Sequence, residues 1–279
     1  MPTTPDLRVS QALLVADARG VRVAAQSEGF DTPEGERVAV LFGKRPPGVA
    51  CPLAHFACPF GRDGVAVVQV ADRPGPGDPL AFRFLVFARE LYRHLGDPFA
   101  IADRFPPPWD ASGTLPGLWW PHEVLPRRTV EQVDSVLKHG DSPLLLGATQ
   151  ALVDGSRVVV LRPTPDEPLL RGLWQLLPDR TRCDLWPASF AFSLELGFHA
   201  AAMPAVPPLD PYRFHDEERA RDYPQGSYEL SLQIAAEHGD QRELDRLFAR
   251  RTSTETLRLG LAILVGALLI AAVLKFVLP

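Results

Sequence analysis

Apolar residues recur along this chain with different spacings, and each spacing predicts a different kind of element. Residues 7–17 and 21–26 form two strand-like runs around Ala18, Arg19 and Gly20, the pattern of a hairpin with glycine at its turn. Residues 65–70 and 82–87 are further strand candidates, separated by the Pro/Gly-rich stretch 72–78. Helical spacing takes over at 88–95 and stops at Gly96, with Asp97 and Pro98 enforcing the stop. Three consecutive prolines, 106–108, followed by Trp109, Trp119 and Trp120, close this first region near residue 125.

The pattern restarts at Thr129, which with Gln132 makes a capping box for a helix ending at Gly140. Residues 144–153, the pair Asp154-Gly155 and residues 157–161 match an Asp-Gly hairpin. A helix over 167–177, a short piece at 181–184, and strands at 190–196 and 199–203 follow. Four prolines between 204 and 211 predict a spacer. Beyond it, 228–238 and 241–251 read as two helices broken at Gly239, the second capped by Asp240. The pair resembles one unit of a helical repeat, has no second copy, and is expected to serve as a stalk. The expected fold class is α+β: a domain at 1–125, a second α+β region at 126–203, a Pro-rich linker at 204–226, a helical-pair stalk at 227–256 and a transmembrane tail anchor at 257–279.

The tail carries the strongest signal. No charged side chain occurs from Leu259 to Leu274, and about 20 residues at 1.5 Å each reach roughly 30 Å, the thickness of a hydrocarbon core. Thirteen of the residues from 259 to 278 are Leu, Ile, Val or Phe. Together these side chains favour insertion by roughly 4–8 kcal/mol, and Lys275 lies near enough to the end to snorkel. Arg246, Arg250, Arg251 and Arg258 precede the run while Lys275 alone lies within its far end, so the positive-inside bias predicts a body on the cytoplasmic side. Residues 1–10 lack an apolar stretch of the signal-peptide kind, which agrees with that orientation. Ala262 with Gly266, and Ala267 with Ala271, have the small-xxx-small spacing expected to permit a weak homodimer through the membrane helix.

Composition narrows the function classes. Hydrophobic residues make up 46% and charged residues 23%, as expected of a folded chain. A net charge of -5 without a basic stripe argues against nucleic acid as partner. Cys51, His55 and Cys58 are metal-ligand types at close spacing, but the C-x-x-C knuckle is missing and Cys183 is the only other thiol. The expectation is therefore a loop packing its sulfurs inward, with no metal and no cofactor. No H-E-x-x-H, G-x-S-x-G, Walker loop or G-x-G-x-x-G occurs, and His122-Glu123 is isolated. Gly147 and Gly155 stand too far apart for a phosphate cradle. Asp72, Asp78, Asp97 and Asp103 stand where caps and turns belong, so a paired-carboxylate site is the lesser reading. Arg83, Arg89, Arg93 and Arg104 are expected on a solvated face. Trp109, Trp119 and Trp120 are expected to staple a loop onto the sheet rather than line a groove. No residue is assigned as catalytic.

Two stretches go further. The stretch Val9-Ser10-Gln11-Ala12-Leu13-Leu14, with Ala18-Arg19-Gly20 and Val23-Ala24-Ala25-Gln26-Ser27, resembles the opening of the N-terminal domain of bacterial GTPase-associated proteins. Leu176-Leu177-Pro178, Arg182 and the segment 186–190 resemble that family's middle domain, while Ala18-Arg19-Gly20 replaces its usual Asp-Gly-His. The resemblance implies a partner-binding component of a GTPase-containing system and carries no catalytic residue. The expected function is a membrane-tethered, cytoplasm-facing adaptor at a bacterial inner membrane that recruits a protein partner, a GTPase. The alternative is a tail-anchored enzyme, a hydrolase.

Overall fold

A computed structural model describes residues 7–250, except 76, 122, 207, 209, 211 and 212, together with 261 and 263–266. The chain opens with the expected hairpin, β1 (Arg8–Asp17) and β2 (Gly20–Gln26), followed by α1 (Thr32–Leu41). An antiparallel meander comes next: β3 (Ala54–Phe60), β4 (Gly64–Asp72) and β5 (Leu80–Ala88). Then come α2 (Arg89–Leu95), α3 (Pro98–Arg104) and the two-residue strands β6 (Gly113–Thr114) and β7 (Leu118–Trp119). The remainder runs α4 (Val130–His139), α5 (Ser142–Val153), β8 (Arg157–Leu161), α6 (Glu167–Leu176), α7 (Asp179–Arg182), β9 (Pro187–Ala188) and β10 (Ala200–Met203). It ends with β11 (Phe214–His215), α8 (Glu217–Arg221), α9 (Ser227–Glu237) and α10 (Gln241–Phe248).

All eleven strands join one mixed sheet, ordered β11-β8-β10-β9-β3-β4-β5-β1-β2-β6, with β7 on β1. The meander half is antiparallel, whereas β11, β8, β10 and β9 pair parallel, with α6 in the crossover from β8. The α+β class holds, and a parallel segment lies inside it. The two regions separated by pattern near residue 125 share this sheet, because β9 pairs with β3 at Phe56↔Ala188. One apolar core runs from Val9 to Phe248.

Several expectations are corrected. Residues 144–153 are helical: Asp141 accepts from the Leu144 N–H as N-cap, Pro143 sits in the first turn, and twelve residues suit a helix better than a strand. Its apolar run shows no polar face because residues 144–152 are all buried, and Asp154-Gly155 ends the helix, with Gly155 at φ +89°, rather than turning a hairpin. Gly147 lets α8 approach, since a Cβ there would stand 1.9 Å from the Ala220 carbonyl oxygen. Residues 190–196 form bends, not a strand. The backbone here bonds singly to two different strands, Ser189 N–H to His55 O just before the segment and Ala191 N–H to Ala202 O within it.

The expected loop around Cys51, His55 and Cys58 is largely β3. Beyond Phe56 this strand has no partner on its outer side among the described residues, which is where Pro59 can lack its N–H. Asp97 and Pro98 do follow the end of α2, and they also start α3, with Asp97 accepting from Phe99 and Ala100 N–H. The spacer contains β11 and α8, and the latter is held by Glu217 to Arg162 and by Arg221 to Asp141. The helical pair is packed on the body instead of standing off as a stalk. Leu232, Leu244 and Phe248 enter the core, the Tyr228 hydroxyl donates to Leu176 O at 2.6 Å, and Gln241 Oε1 accepts from Val130 N–H at 2.8 Å. Among the described residues no helix is long and apolar enough to cross a membrane. The expected span, 257–279, lies outside them apart from exposed helical residues such as Leu261 and Ile263.

Candidate functional site

Two clusters of polar side chains stand out, and they differ in how closely like charges are crowded together. The first is a row across the middle of the sheet. Register places His55 of β3 opposite Gln69 of β4, and Gln69 opposite Arg83 of β5, so three polar side chains line one face. All are buried, His55 at 4% and Arg83 at 2% exposure. The helices α3 and α6 border this row, with the Phe99 ring 6.3 Å from His55 and edge-on to Trp174. From α6, Glu167 brings Oε2 to 3.0 Å from His55 Nδ1. Glu167 also pairs with Arg171, which holds Asp103 of α3 at 2.8 Å.

This row has the chemistry of a structural network. Gln69 Nε2 can only donate, so His55 Nε2, 3.3 Å away, accepts and the ring proton sits on Nδ1. The carboxylate lies 3.0 Å off but out of hydrogen-bond line, so Nδ1, like Gln69 Oε1, has no hydrogen-bond partner among the described residues. Burial pushes the His55 pKa down against the pull of Glu167, which keeps the ring neutral. A general base needs a free lone pair aimed at a reactive proton, and the His55 lone pair is already engaged. Burial also pulls the Arg83 guanidinium down to about 10; it donates to Phe84 O, and its Nε has no partner among the described residues. Arg83 is thus buried rather than solvated as expected.

The second cluster is a pocket of about 430 Å³ where α2, α7, the segment before α4 and α10 meet. Arg93, Arg127, Arg128 and Arg182 line it against only two carboxylates, Asp179 and Asp245. Arg127 takes Asp245 in a fork. Arg128 and Arg182 share the other: Asp179 Oδ1 lies 2.6 Å from Arg128 and 3.1 Å from Arg182. Arg128 also donates to Gln175 O and Leu177 O at the carbonyl end of α6, and its guanidinium stacks 3.4 Å from the Phe248 ring centre. Burial and the neighbouring Arg182 push Arg128 down to about 10. Arg182 Nε is buried without a hydrogen-bond partner. Gly96 makes room here: at φ +64° it ends α2, and a Cβ would meet Cys183 Sγ at 2.9 Å and Arg182 Nε at 3.1 Å.

A groove of about 490 Å³ between α4, α5 and α6 offers a contrast, because its charges are matched within the protein. Arg162 holds Asp166 and Glu217, Arg171 holds Asp103 and Glu167, and Asp141 holds Arg221.

The other sequence candidates disperse. Cys51 and Cys58 are buried, and burial raises both thiols to about 12, so neither is an activated nucleophile. Among the described residues no group of three metal-ligand side chains converges. Asp72 accepts from Cys51 N–H and Arg45, Asp97 caps α3 and Asp103 pairs with Arg171, so these acids have separate partners. Asp78 occupies a left-handed turn position at φ 48°. Arg89 and Arg93 approach Asp184 at 3.9 and 3.7 Å, and Arg104 pairs with Glu123. Trp120 is buried against Phe87 and Phe105, Trp109 packs on a small cluster with Leu13 and Leu115, and Trp119 remains 60% exposed beneath Arg8. Sequence inspection missed Gln69, Glu167, Arg128 and Arg171. A polar residue inside an apolar strand, as at Gln69, was the one local signal for any of them. No family model matches the chain, and neither does any curated protein or solved structure.

Proposed function

We propose that this protein is a partner-binding adaptor, held to a bilayer through residues 257–279 with its body on the cytoplasmic side. The observation that carries the reading is the unbalanced arginine pocket. The row around His55 is buried away from solvent and the thiols are inert, whereas the pocket is lined by four guanidinium groups and two carboxylates. Such a site recognises charge rather than transforming a substrate. Its position supports the same role, since Phe248 lines it nine residues before 257, where the apolar tail begins. The resemblance of residues 9–27 and 176–190 to bacterial GTPase-associated proteins suggests a GTPase as the partner.

Two measurements test this. A photocrosslinker at position 93, on the exposed rim, is expected to capture a GTPase in cells. Protease added to intact spheroplasts should leave residues 7–250 uncut, and digestion there would overturn the orientation. The hydrolase reading draws on the His55–Glu167 contact. It would replace the adaptor if the purified chain turned over ester, amide or phosphoester substrates and a His55→Asn variant that remained folded lost that turnover.

A further inference from the structure

Arg128 and Arg182 are like charges brought together in a largely buried place, with side-chain exposures of 10% and 12%, and they share one carboxylate that is itself half exposed. Two guanidinium groups carry ten N–H donors. Arg128 uses two on carbonyl oxygens and one on Asp179. For Arg182 the contact with Asp179 is close, Asp97 stands 4.0 Å away, and Nε is buried with no partner. Arg93 adds a third cation on the rim, 3.7 Å from Asp184. Asp245 cannot compensate, because Arg127 occupies it. Each arginine thus has a carboxylate within 4.0 Å, but Asp184 and Asp97 stand outside the lining, which itself carries four guanidinium groups and two carboxylates and leaves Arg182 Nε without an acceptor.

We propose that this pocket binds a phosphate group, as the dianion or monoester, with Arg182 and Arg93 as its principal donors and Arg128 setting the field. A phosphate supplies up to two negative charges and several acceptor oxygens, the deficit just described, and its oxygens match the guanidinium fork. The volume, about 430 Å³, admits a substituted phosphate as well as the free ion. An anionic lipid headgroup and a soluble phosphate share this chemistry. The nearness of Phe248 to the apolar tail puts a headgroup within reach, because nine extended residues span at most about 30 Å. The inference rests on the adaptor reading in that it names what the pocket recognises.

The test uses the full chain in a phosphate-free, non-ionic detergent at constant ionic strength near neutral pH. The thermal unfolding midpoint is followed as inorganic phosphate, or phosphatidic acid in mixed micelles, replaces chloride. A saturable rise with either ligand is expected. Binding at least ten times tighter for the lipid would identify a headgroup as the source, and comparable binding would identify soluble phosphate. In the Arg93→Gln/Arg182→Gln variant the affinity is expected to fall at least tenfold, with the midpoint in chloride changed by no more than about 4 °C. Should that variant fail to fold, Arg93→Gln alone, an exposed substitution, is expected to weaken binding about threefold. No saturable rise with either ligand, or an equal rise in the variants, overturns the site. Phosphate binding without a crosslinked GTPase would leave the site standing and remove the adaptor reading, while the reverse pair of results would remove only the site.

Discussion

The row through His55, Gln69 and Glu167 and the pocket of Arg128 and Arg182 are both polar clusters beside the core, yet they answer the cost of burial in opposite ways. In the row, a neutral ring meets an amide on one side and a carboxylate on the other, and the carboxylate is tied through Arg171 to Asp103 at the surface. In the pocket, two cations sit together and share Asp179. Removing a member of a paired row leaves its neighbours with unmet hydrogen bonds, whereas removing a member of a crowded cationic pair relieves repulsion. Both clusters keep unmet polar atoms, His55 Nδ1 and Gln69 Oε1 in the row and Arg182 Nε in the pocket, so it is the crowding of like charges rather than completeness of pairing that separates a cluster that holds the fold from one that has capacity for an anion.

Breaking the row should have the largest effect. His55→Leu leaves Gln69 Nε2 and Glu167 Oε2 without their partner and should cost roughly 3 kcal/mol in urea-induced unfolding. A loss below about 1 kcal/mol would show that the row contributes little to stability.

Acid should act next. His199 accepts from Trp186 N–H through Nδ1, and burial together with Arg157 lowers its pKa to about 4. With the folded value depressed, the unfolded chain takes up the proton first as the pH drops below about 6.5, so stability is intact above that pH and declines from there toward pH 4. By pH 5 the loss from His199 should be about 2 kcal/mol, with His55 acting in the same direction. Unfolding curves at pH 7 and pH 5 check it, and the decline should persist in Arg182→Gln, because the pocket arginines keep their charge throughout this range. Flat stability across that interval would mean that neither ring is held neutral.

The smallest effect sharpens the contrast. Arg182→Gln without phosphate should change stability by less than about 1 kcal/mol, since relief of repulsion from Arg128 offsets the lost contact with Asp179. A cost comparable to that of His55→Leu would place Arg182 in the structural class, and the contrast between the clusters would be gone.

Much of the fold was legible because its signals are local. The β1–β2 turn, the capping box at Thr129, the stop at Gly96 and the helical pair with its break at Gly239 all stand where residue chemistry put them. The misread helix α5 shows the limit. Its apolar run has no period once every side is buried, although Asp141 and Pro143 marked its start. The pocket was less legible still. Arg93, Arg182 and Cys183 were each noticed for separate reasons and never as one site, and Arg128 looks like any polar residue before a capping box until α6 and α10 close over it.

By itself the sequence determined the kinds of element, most of their ends, the α+β class and the apolar character of residues 257–279, since these follow from spacing, caps and turn chemistry within a few residues. Only the tertiary structure decided that one sheet joins both regions, that the helical pair is docked, and which charges are matched. Those outcomes depend on contacts such as Phe56 with Ala188, Glu167 with His55 and Phe248 with Arg128. Partners so distant in the chain leave no period to read, and whether a buried charge is paired depends on what the fold brings to it.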